Sequence, residues 1–213
     1  MTKLIDMQVK EFMDTLASKE PTPGGGSASA LAGGMAASLG IMVGNLTIGR
    51  KRYRNLSEDD QNELDDKYEK LQAAKRKLEG LVDKDKEAFD QLMAAFKMPK
   101  ETDTEKEQRK RAIQEGTQRA LDVPLETAQE CLEVLHYLEV FARNGNPNAI
   151  TDVGVGALMA QTAMEGALYN VEINLMDVAD ESYKKELRQQ KEKMQVEGNE
   201  LKEKIESLVY ERM

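Results

Sequence analysis

The chain has 213 residues, with 30 Lys and Arg against 39 Asp and Glu, one His, one Cys and no Trp. This length predicts one domain over residues 1–213, and a single Cys excludes a disulfide framework and a multi-thiolate metal site. A net charge of −9 argues against a general nucleic-acid surface, which needs a basic face. Since the charged amphipathic start is unlike a secretory signal, we expect a cytoplasmic protein that binds neither metal nor nucleic acid.

Helical patterns run through the whole chain. Only five prolines interrupt it, and the alternation that is typical of strands is nowhere sustained. The sequence therefore predicts an all-α fold, a single-domain helical bundle. We expect five or six helices, at about residues 3–18, 27–49, 57–97, 104–143 (with Pro124 as a kink or a break), 149–178 and 180–211.

Two of these helices are rich in glycine and poor in charge. Residues 21–49 contain no charged side chain, and residues 153–176 contain only Glu165 and Glu172. This predicts two central helices, whose glycines require the close approach of another helix or a ligand. The first segment is also long enough to span a membrane, but residues 27–48 hold only six Leu, Ile or Val. We therefore favour a buried helix and expect no membrane partner.

The loop PTPGGGSAS opens the first of the two glycine-rich helices. Gly24, Gly25 and Gly26 precede Ser27, which is the predicted N-cap. Bare backbone N–H groups at a helix start can bind an anion, although a flexible turn between two helices has the same composition. The basic run at 50–54 follows this helix, where it either favours the helix dipole or holds an anionic substrate.

Asp85 interrupts an apolar stripe on the third predicted helix. It stands in a series of seven-residue intervals that otherwise holds only leucine, namely Leu64, Leu71, Leu78 and Leu92. A carboxylate on an apolar face loses hydration, which raises its pKa and suits it to proton transfer near neutrality. Alternatively, Asp85 pairs with a buried Lys or Arg, or the helix has left the core at this point. Two carboxylates fall off the stripe and are expected to be solvated, namely Asp83 and Asp90.

A polar loop, RNGNPNAITD at 143–152, precedes the second glycine-rich helix. Its alternating Asn, Gly and Pro are typical of turns, and Thr151 or Asp152 is expected to begin the helix. Both glycine-rich helices thus start after a loop of Gly, Asn or Pro. We therefore expect two helix N-termini to face one site.

The remaining polar candidates lie within helices. Asn170 and Asn174 share one helix face, where their amides either bind a heterocycle or bond to each other or to nearby backbone. Cys131 and His136 lie on an amphipathic helix and are expected to be structural.

Five segments follow one another in a characteristic order: PTPGGGSASALAGGMAASLGIMVGNLTIGRKRY (21–53), LVDKDKEAFDQLMAAFKMPKET (81–102), VPLETA (123–128), GNPNAITDVGVGA (145–157) and NVEINL (170–175). Together they resemble the cyclodeaminase/cyclohydrolase family. This family comprises the C-terminal half of formiminotransferase-cyclodeaminase and stand-alone bacterial methenyltetrahydrofolate cyclohydrolases. The resemblance covers nearly the whole chain, and it includes no formiminotransferase half.

The resemblance implies an all-helical homodimer with a folate site near the dimer interface. It also implies that Asp85 is the acid/base residue, the same residue that the leucine stripe indicates. Arg50 and Lys51 are candidates for holding the glutamate tail of the folate. The resemblance further implies substrate-binding roles for a set of polar positions: Gly24, Gly25, Gly26, Ser27, Asn45, Lys97, Asn146, Asp152, Asn170 and Asn174.

The implied activity is one of two reactions that meet at 5,10-methenyltetrahydrofolate. A cyclodeaminase forms it from 5-formiminotetrahydrofolate with release of ammonia, and a cyclohydrolase opens it with water to 10-formyltetrahydrofolate. Neither reaction needs a metal, nucleotide or redox cofactor. The alternative is a non-catalytic helical dimer that binds folate or a protein partner, but such a scaffold gains nothing from a carboxylate at position 85.

Overall fold

The computed structural model describes residues 3–213. Seven α-helices cover most of this part, and it contains no strand, which confirms the predicted all-α fold. The helices are α1 (Val9–Leu16), α2 (Gly25–Thr47), α3 (Lys51–Arg54), α4 (Glu58–Phe96), α5 (Asp103–Asn144), α6 (Ile150–Leu175) and α7 (Glu181–Arg212). Single 3₁₀ turns lie at Leu4–Asp6 and Pro147–Ala149.

Four long helices enclose the core. α2 packs between α4 and α6, α5 packs against α4 and α6 on the opposite side, and α7 covers α5 and α6. The largest fully buried side chains are leucines of α4, α5 and α6, with Phe141, Met164 and Ile205. The two glycine-rich helices, α2 and α6, are thus neighbours in the core, as the charge pattern predicts.

α2 and α6 run antiparallel, side by side. Gly25 at the start of α2 lies against Asn170 near the end of α6. At the other end, the backbone N–H of Asn146, just before α6, donates to the Thr47 hydroxyl at 2.9 Å. The prediction that the N-termini of both helices face one site is therefore wrong for a single chain, because the antiparallel arrangement puts them at opposite ends.

Small residues in α2 allow its neighbours to approach the backbone. A Cβ added at Gly33 would lie 2.6 Å from the Cys131 sulfur. One added at Gly40 would lie 2.8 Å from a methyl group of Leu71 and a methyl group of Leu138. These distances are too short for real side chains, so the close approach of α4 and α5 offsets the helix-propensity cost of glycine.

The helix ends differ from the prediction in four places. α6 begins at Ile150 with Ala149 as its N-cap, and not at Thr151 or Asp152. α2 begins at Gly25 with Gly24 as its N-cap, because the Ser27 hydroxyl bonds to a distant side chain instead. The expected helix at 3–18 is a 3₁₀ turn followed by α1, since the backbone between them is extended at Gln8. Pro124 does not break α5, which continues through it to Asn144.

By length and composition alone, α2 could also span a membrane. Within residues 3–213 it is the one helix long and apolar enough, with a mean hydropathy of 1.4 over its most apolar 18 residues. However, 56% of that window is buried inside the protein. A core helix of a soluble protein has the same composition, so this is weak evidence for a membrane span.

Candidate active site

Asp85 lies where α4 passes the first turn of α2. The leucines of its stripe at positions 64, 71 and 78 are fully buried, whereas Asp85 itself is half-buried. The hydroxyl of Ser27, a residue with no solvent exposure, donates to Asp85 Oδ2 at 2.9 Å. Among residues 3–213, Asp85 forms no ion pair with Lys or Arg, so the alternative of a buried salt bridge does not apply.

The backbone of α2 shapes the space around this carboxylate. A Cβ added at Gly26 would lie 2.5 Å from the carboxyl carbon of Asp85 and 2.8 Å from its Oδ2. Glycine is therefore required for the carboxylate to reach the helix N-terminus. There the backbone N–H groups of the first turn have no partner within the helix.

Burial raises the pKa of Asp85 above its ordinary value, and hydrogen bonds from the Ser27 hydroxyl and backbone N–H lower it again in part. The net direction is upward because loss of hydration disfavours the charged form. A carboxyl group of raised pKa can accept a proton and return it near neutral pH. The geometry thus supplies a proton carrier held in one orientation.

Asn170 lies beside the same end of α2. Its Nδ2 would be 3.5 Å from a Cβ at Gly25, and it donates to the Gly166 carbonyl at 2.8 Å. This bond fixes the amide and leaves its oxygen as an acceptor next to α2. Since Gly25 is exposed and Asp85 and Asn170 are half-buried, these groups are accessible to a small molecule.

Asn174 has a partner that explains the continuity of α5. Pro124 has no N–H group, so the carbonyl of Ala120, four residues earlier, has no donor within the helix. The side-chain Nδ2 of Asn174 donates to this carbonyl. The sequence left two interpretations of Asn174, binding of a heterocycle or a bond to another amide or to backbone. The structure shows a bond from this amide to backbone.

We expect Asn174→Ala to lower the free energy of unfolding by about 1–3 kcal/mol, because it leaves the Ala120 carbonyl unpaired. In a Pro124→Ala background the same change should cost much less, since the new backbone N–H can bond to Ala120. Urea unfolding of the two single variants and the double variant measures this coupling. An equal loss of unfolding free energy in both backgrounds would show that the Asn174 amide does not compensate for the N–H group that Pro124 lacks.

A second group of predicted residues lies at the other end of α2. Asn45 accepts from the Tyr68 hydroxyl at 2.7 Å, and the Asn146 amide donates to the Leu46 carbonyl at 3.1 Å. A cavity of about 290 Å³ at this end is lined by Leu46, Thr47, Arg50, Arg52 and Asn146. Lys51 is exposed, and Asp152 lies in the first turn of α6.

The two groups are far apart within one chain. Twenty residues of α2 separate Ser27 from Thr47, which corresponds to roughly 30 Å of helix at about 1.5 Å per residue. This distance exceeds the length of a folate monoglutamate. Asp85, Ser27 and Asn170 therefore form one candidate site, and Arg50 and Lys51 of the same chain lie outside it.

Lys97 lies in neither group. It caps the C-terminal end of α4, at the tip of the α4–α5 hairpin, and is exposed. Next to it, Lys100, Lys106, Arg109 and Lys110 line a cavity of about 370 Å³ together with Ile113. The sequence does not predict this basic cluster, because acidic residues between these positions make the segment resemble an ordinary solvated helix start.

The remaining expectations concern residues outside the site. Asp83 is not simply solvated, since it accepts from the backbone N–H of Leu4 at 2.6 Å, whereas Asp90 is exposed and pairs with Lys86. Cys131 is buried, and burial raises the pKa of its thiol. His136 bonds to Glu197 at 2.9 Å. Cys131 and His136 thus have the structural surroundings that the sequence predicts.

The chain is similar to known proteins in sequence and in fold. The family described as formiminotransferase-cyclodeaminase matches residues 8–193. A methenyltetrahydrofolate cyclohydrolase of Methylorubrum extorquens is 41% identical over 92% of this chain and 93% of its own length. A formimidoyltransferase-cyclodeaminase of Gallus gallus is 35% identical over 87% of this chain, which spans only about a third (34%) of that longer protein. The crystal structure of formiminotetrahydrofolate cyclodeaminase from Thermotoga maritima superposes with a TM-score of 0.84 and 28% identity over 98% of both chains.

Proposed function

Since the chain belongs to the formiminotransferase-cyclodeaminase family and is a folate one-carbon enzyme, either a cyclohydrolase or a cyclodeaminase, we propose that it acts as a methenyltetrahydrofolate cyclohydrolase. The observation that carries this choice is the 41% identity to a cyclohydrolase of matching length, 93% of which is covered. The formimidoyltransferase-cyclodeaminases, by contrast, are less similar and about three times longer than the matched region.

In the proposed mechanism Asp85 moves the protons. Water attacks the methenyl carbon between N5 and N10 of the folate, and the Asp85 carboxylate accepts the proton that water loses. The bond from this carbon to N5 then breaks, N5 receives the proton from Asp85, and the hydroxyl proton leaves to solvent. The product is 10-formyltetrahydrofolate, and the carboxylate is restored.

The neighbours of Asp85 support this assignment. Ser27 is fully buried, so its hydroxyl orients the carboxylate and does not attack the substrate. The first turn of α2 offers N–H groups that can donate to the hydroxyl oxygen of the tetrahedral adduct and hold it as the carbonyl forms. Asn170 offers an amide oxygen to a pterin N–H group. The reaction takes no cofactor beyond the folate itself.

A second candidate, the cyclodeaminase reaction, is favoured by the likeness to the Thermotoga maritima structure. Both candidates are tested by the absorbance of the 5,10-methenyl chromophore with the purified protein. Accelerated decay of supplied methenyltetrahydrofolate supports the cyclohydrolase, and a rising signal from 5-formiminotetrahydrofolate supports the cyclodeaminase. If neither occurs, a non-catalytic folate-binding dimer replaces both.

The proposal includes a homodimer formed through the outer face of α2 and α6. This face carries exposed apolar side chains from both helices, among them Met35, Met42, Leu46, Val155 and Leu158. Several exposed apolar side chains on neighbouring helices are typical of protein interfaces. Sedimentation equilibrium at micromolar concentration should give twice the chain mass of 23.9 kDa, and a monomer would contradict this part of the proposal.

Location in the cytoplasm and the absence of membrane and nucleic-acid partners stay predictions from the sequence.

A further inference from the structure

Two phenylalanines on α4 lie beyond the end of its contact with α2. Leu71 and Leu78 of α4 pack against glycines of α2, at 2.8 Å and 3.2 Å from Cβ atoms added there. Phe89 and Phe96 follow these two leucines by eighteen residues each, which is about five full turns of an α-helix. The phenylalanines therefore point to the same side of α4 as the leucines that contact α2.

α2 is too short to cover these phenylalanines. It begins at Gly25, and Asp85 already faces its first turn at Gly26, whereas α4 continues to Phe96. Phe89 stands about one turn beyond Asp85 and Phe96 about three turns beyond it, at roughly 6 Å and 17 Å along the helix. Phe89 thus faces the space in front of the free N–H groups of α2.

Neither phenylalanine belongs to the main core. Within residues 3–213, the partly buried apolar side chains that pack against this core do not include Phe89 or Phe96. Leu92 makes the contact of this part of α4 with α5, since a Cβ added at Gly116 would lie 3.1 Å from it. Phe89 is half-buried and Phe96 is 41% exposed. Phe89 is therefore an aromatic side chain beside the candidate site that the packing of the core does not require.

The sides of this space differ in chemistry. α6 offers the amide oxygen of Asn170 and α2 offers N–H groups, so these two sides suit the polar edge of a pterin. α4 offers the carboxylate of Asp85 and, one turn farther, the apolar ring of Phe89. In 5,10-methenyltetrahydrofolate the reacting carbon is bonded to N10, and N10 also carries the p-aminobenzoyl ring. With the pterin toward α6 and the reacting carbon at Asp85, this ring lies on the side of α4.

From this geometry we infer that Phe89 packs against the p-aminobenzoyl ring of the substrate and thereby holds N10 beside Asp85. The inference rests on the proposed function, which places the reacting carbon at Asp85. Aromatic rings attract each other in offset or edge-to-face arrangements. The contact is equally available before and during the reaction, so it contributes to substrate binding and not to the chemical step. Phe96 stands too far along α4 to reach the same ring.

The first test measures KM and kcat for methenyltetrahydrofolate in matched variants. Phe89→Leu removes the aromatic ring, so KM should rise about tenfold while kcat stays within about twofold of the wild type. Phe89→Tyr keeps the ring and should keep KM within about threefold. Phe96→Leu makes the same change farther along α4 and should leave KM unchanged. The inference is overturned if Phe89→Leu lowers kcat at an unchanged KM, if Phe89→Tyr loses binding as Phe89→Leu does, or if Phe96→Leu raises KM equally.

The second test needs no turnover. Because the chain contains no Trp, Phe89→Trp introduces a single indole at this position. Titration with tetrahydrofolate and with p-aminobenzoylglutamate should move its emission to shorter wavelength, since the bound ring covers the indole. Tyr210→Trp, at a position of α7 that is 75% exposed, is the matched control and should show no shift. The absence of a shift in Phe89→Trp, or an equal shift in Tyr210→Trp, contradicts the contact.

The two tests separate this inference from the proposed function. A protein that turns over neither folate but shows the emission shift in Phe89→Trp would refute the proposed function and retain the aromatic contact. A cyclohydrolase whose KM is the same in Phe89→Leu and in the wild type would retain the function and refute the contact.

Discussion

Asp85→Asn is expected to lower kcat by about 10²–10⁴-fold, the range that one positioned acid or base contributes. Asparagine fills the same space and can still bond to the Ser27 hydroxyl, but it cannot carry a proton from water to N5. Decay of the methenyl absorbance under saturating substrate measures the loss. A variant with more than a tenth of the wild-type kcat would show that another group moves the proton.

Ser27→Ala serves as the matched control for this variant, because it keeps the carboxylate and removes the hydroxyl that bonds to it. That hydrogen bond lowers the pKa of Asp85, so its loss should raise this pKa further. Because the carboxylate form accepts the proton, activity rises with pH through the pKa of Asp85. The acidic limb of the pH–kcat profile should therefore move to higher pH in Ser27→Ala and disappear in Asp85→Asn.

The stability of Asp85→Asn distinguishes lost chemistry from lost folding. Burial raises the pKa of Asp85 in the folded chain above its unfolded value near 3.8. The stability linked to this group is therefore fully present below pH 3.8 and is lost as the pH rises through the folded pKa. Asp85→Asn removes this loss, so the variant should be at least as stable as the wild type at pH 7.

Gly26→Ala is expected to have the second largest effect on activity. It keeps the Asp85 carboxylate unchanged but displaces it. The added methyl group would lie 2.5 Å from the carboxyl carbon of Asp85, so either Asp85 or the first turn of α2 must move. Such overpacking costs about 1–3 kcal/mol of stability, and a displacement near 1 Å costs about 100-fold in rate. Urea unfolding and the methenyl assay measure the two effects.

Two comparisons isolate the cause in Gly26→Ala. Gly80→Ala makes the same change in α4 at an exposed position with nothing within 4 Å, and it should stabilise the protein by up to about 1 kcal/mol. In an Asp85→Ala background, Gly26→Ala should no longer destabilise, since the carboxylate that it meets is gone. If Gly26→Ala remains equally costly there, the contact with Asp85 is not its cause.

The sequence could predict those parts of the site that depend on a pattern within one helix. Asp85 stands out because it replaces leucine in a seven-residue series, and the burial of that series follows from its period. The glycines of α2 likewise predict close packing, although their principal neighbours are Cys131, Leu71 and Leu138 of α4 and α5. Local propensity and periodicity are sufficient for both inferences.

Features that depend on how helices are placed relative to one another could not be predicted. The antiparallel order of α2 and α6 decides which polar residues meet, and no residue type encodes it locally. The bond from Asn174 to Ala120 joins positions 54 residues apart, so the sequence around Pro124 alone predicts a kink or a break. The same holds for the basic cluster at the tip of the α4–α5 hairpin, whose lysines come together only when the hairpin closes.

The site is built from contacts of very different separation along the chain, and this affects the order in which it forms. The α4–α5 hairpin closes over the short loop 97–102, so its loop entropy is small and it can form early. The Ser27–Asp85 bond spans 58 residues, and the contact between Gly25 and Asn170 joins positions on opposite sides of most of the core helices, about two-thirds of the chain length apart. In pulsed hydrogen exchange during refolding, α4 and α5 should gain protection first and the start of α2 last. Catalytic competence should thus appear only with the final step of folding, after most of the helical signal has returned.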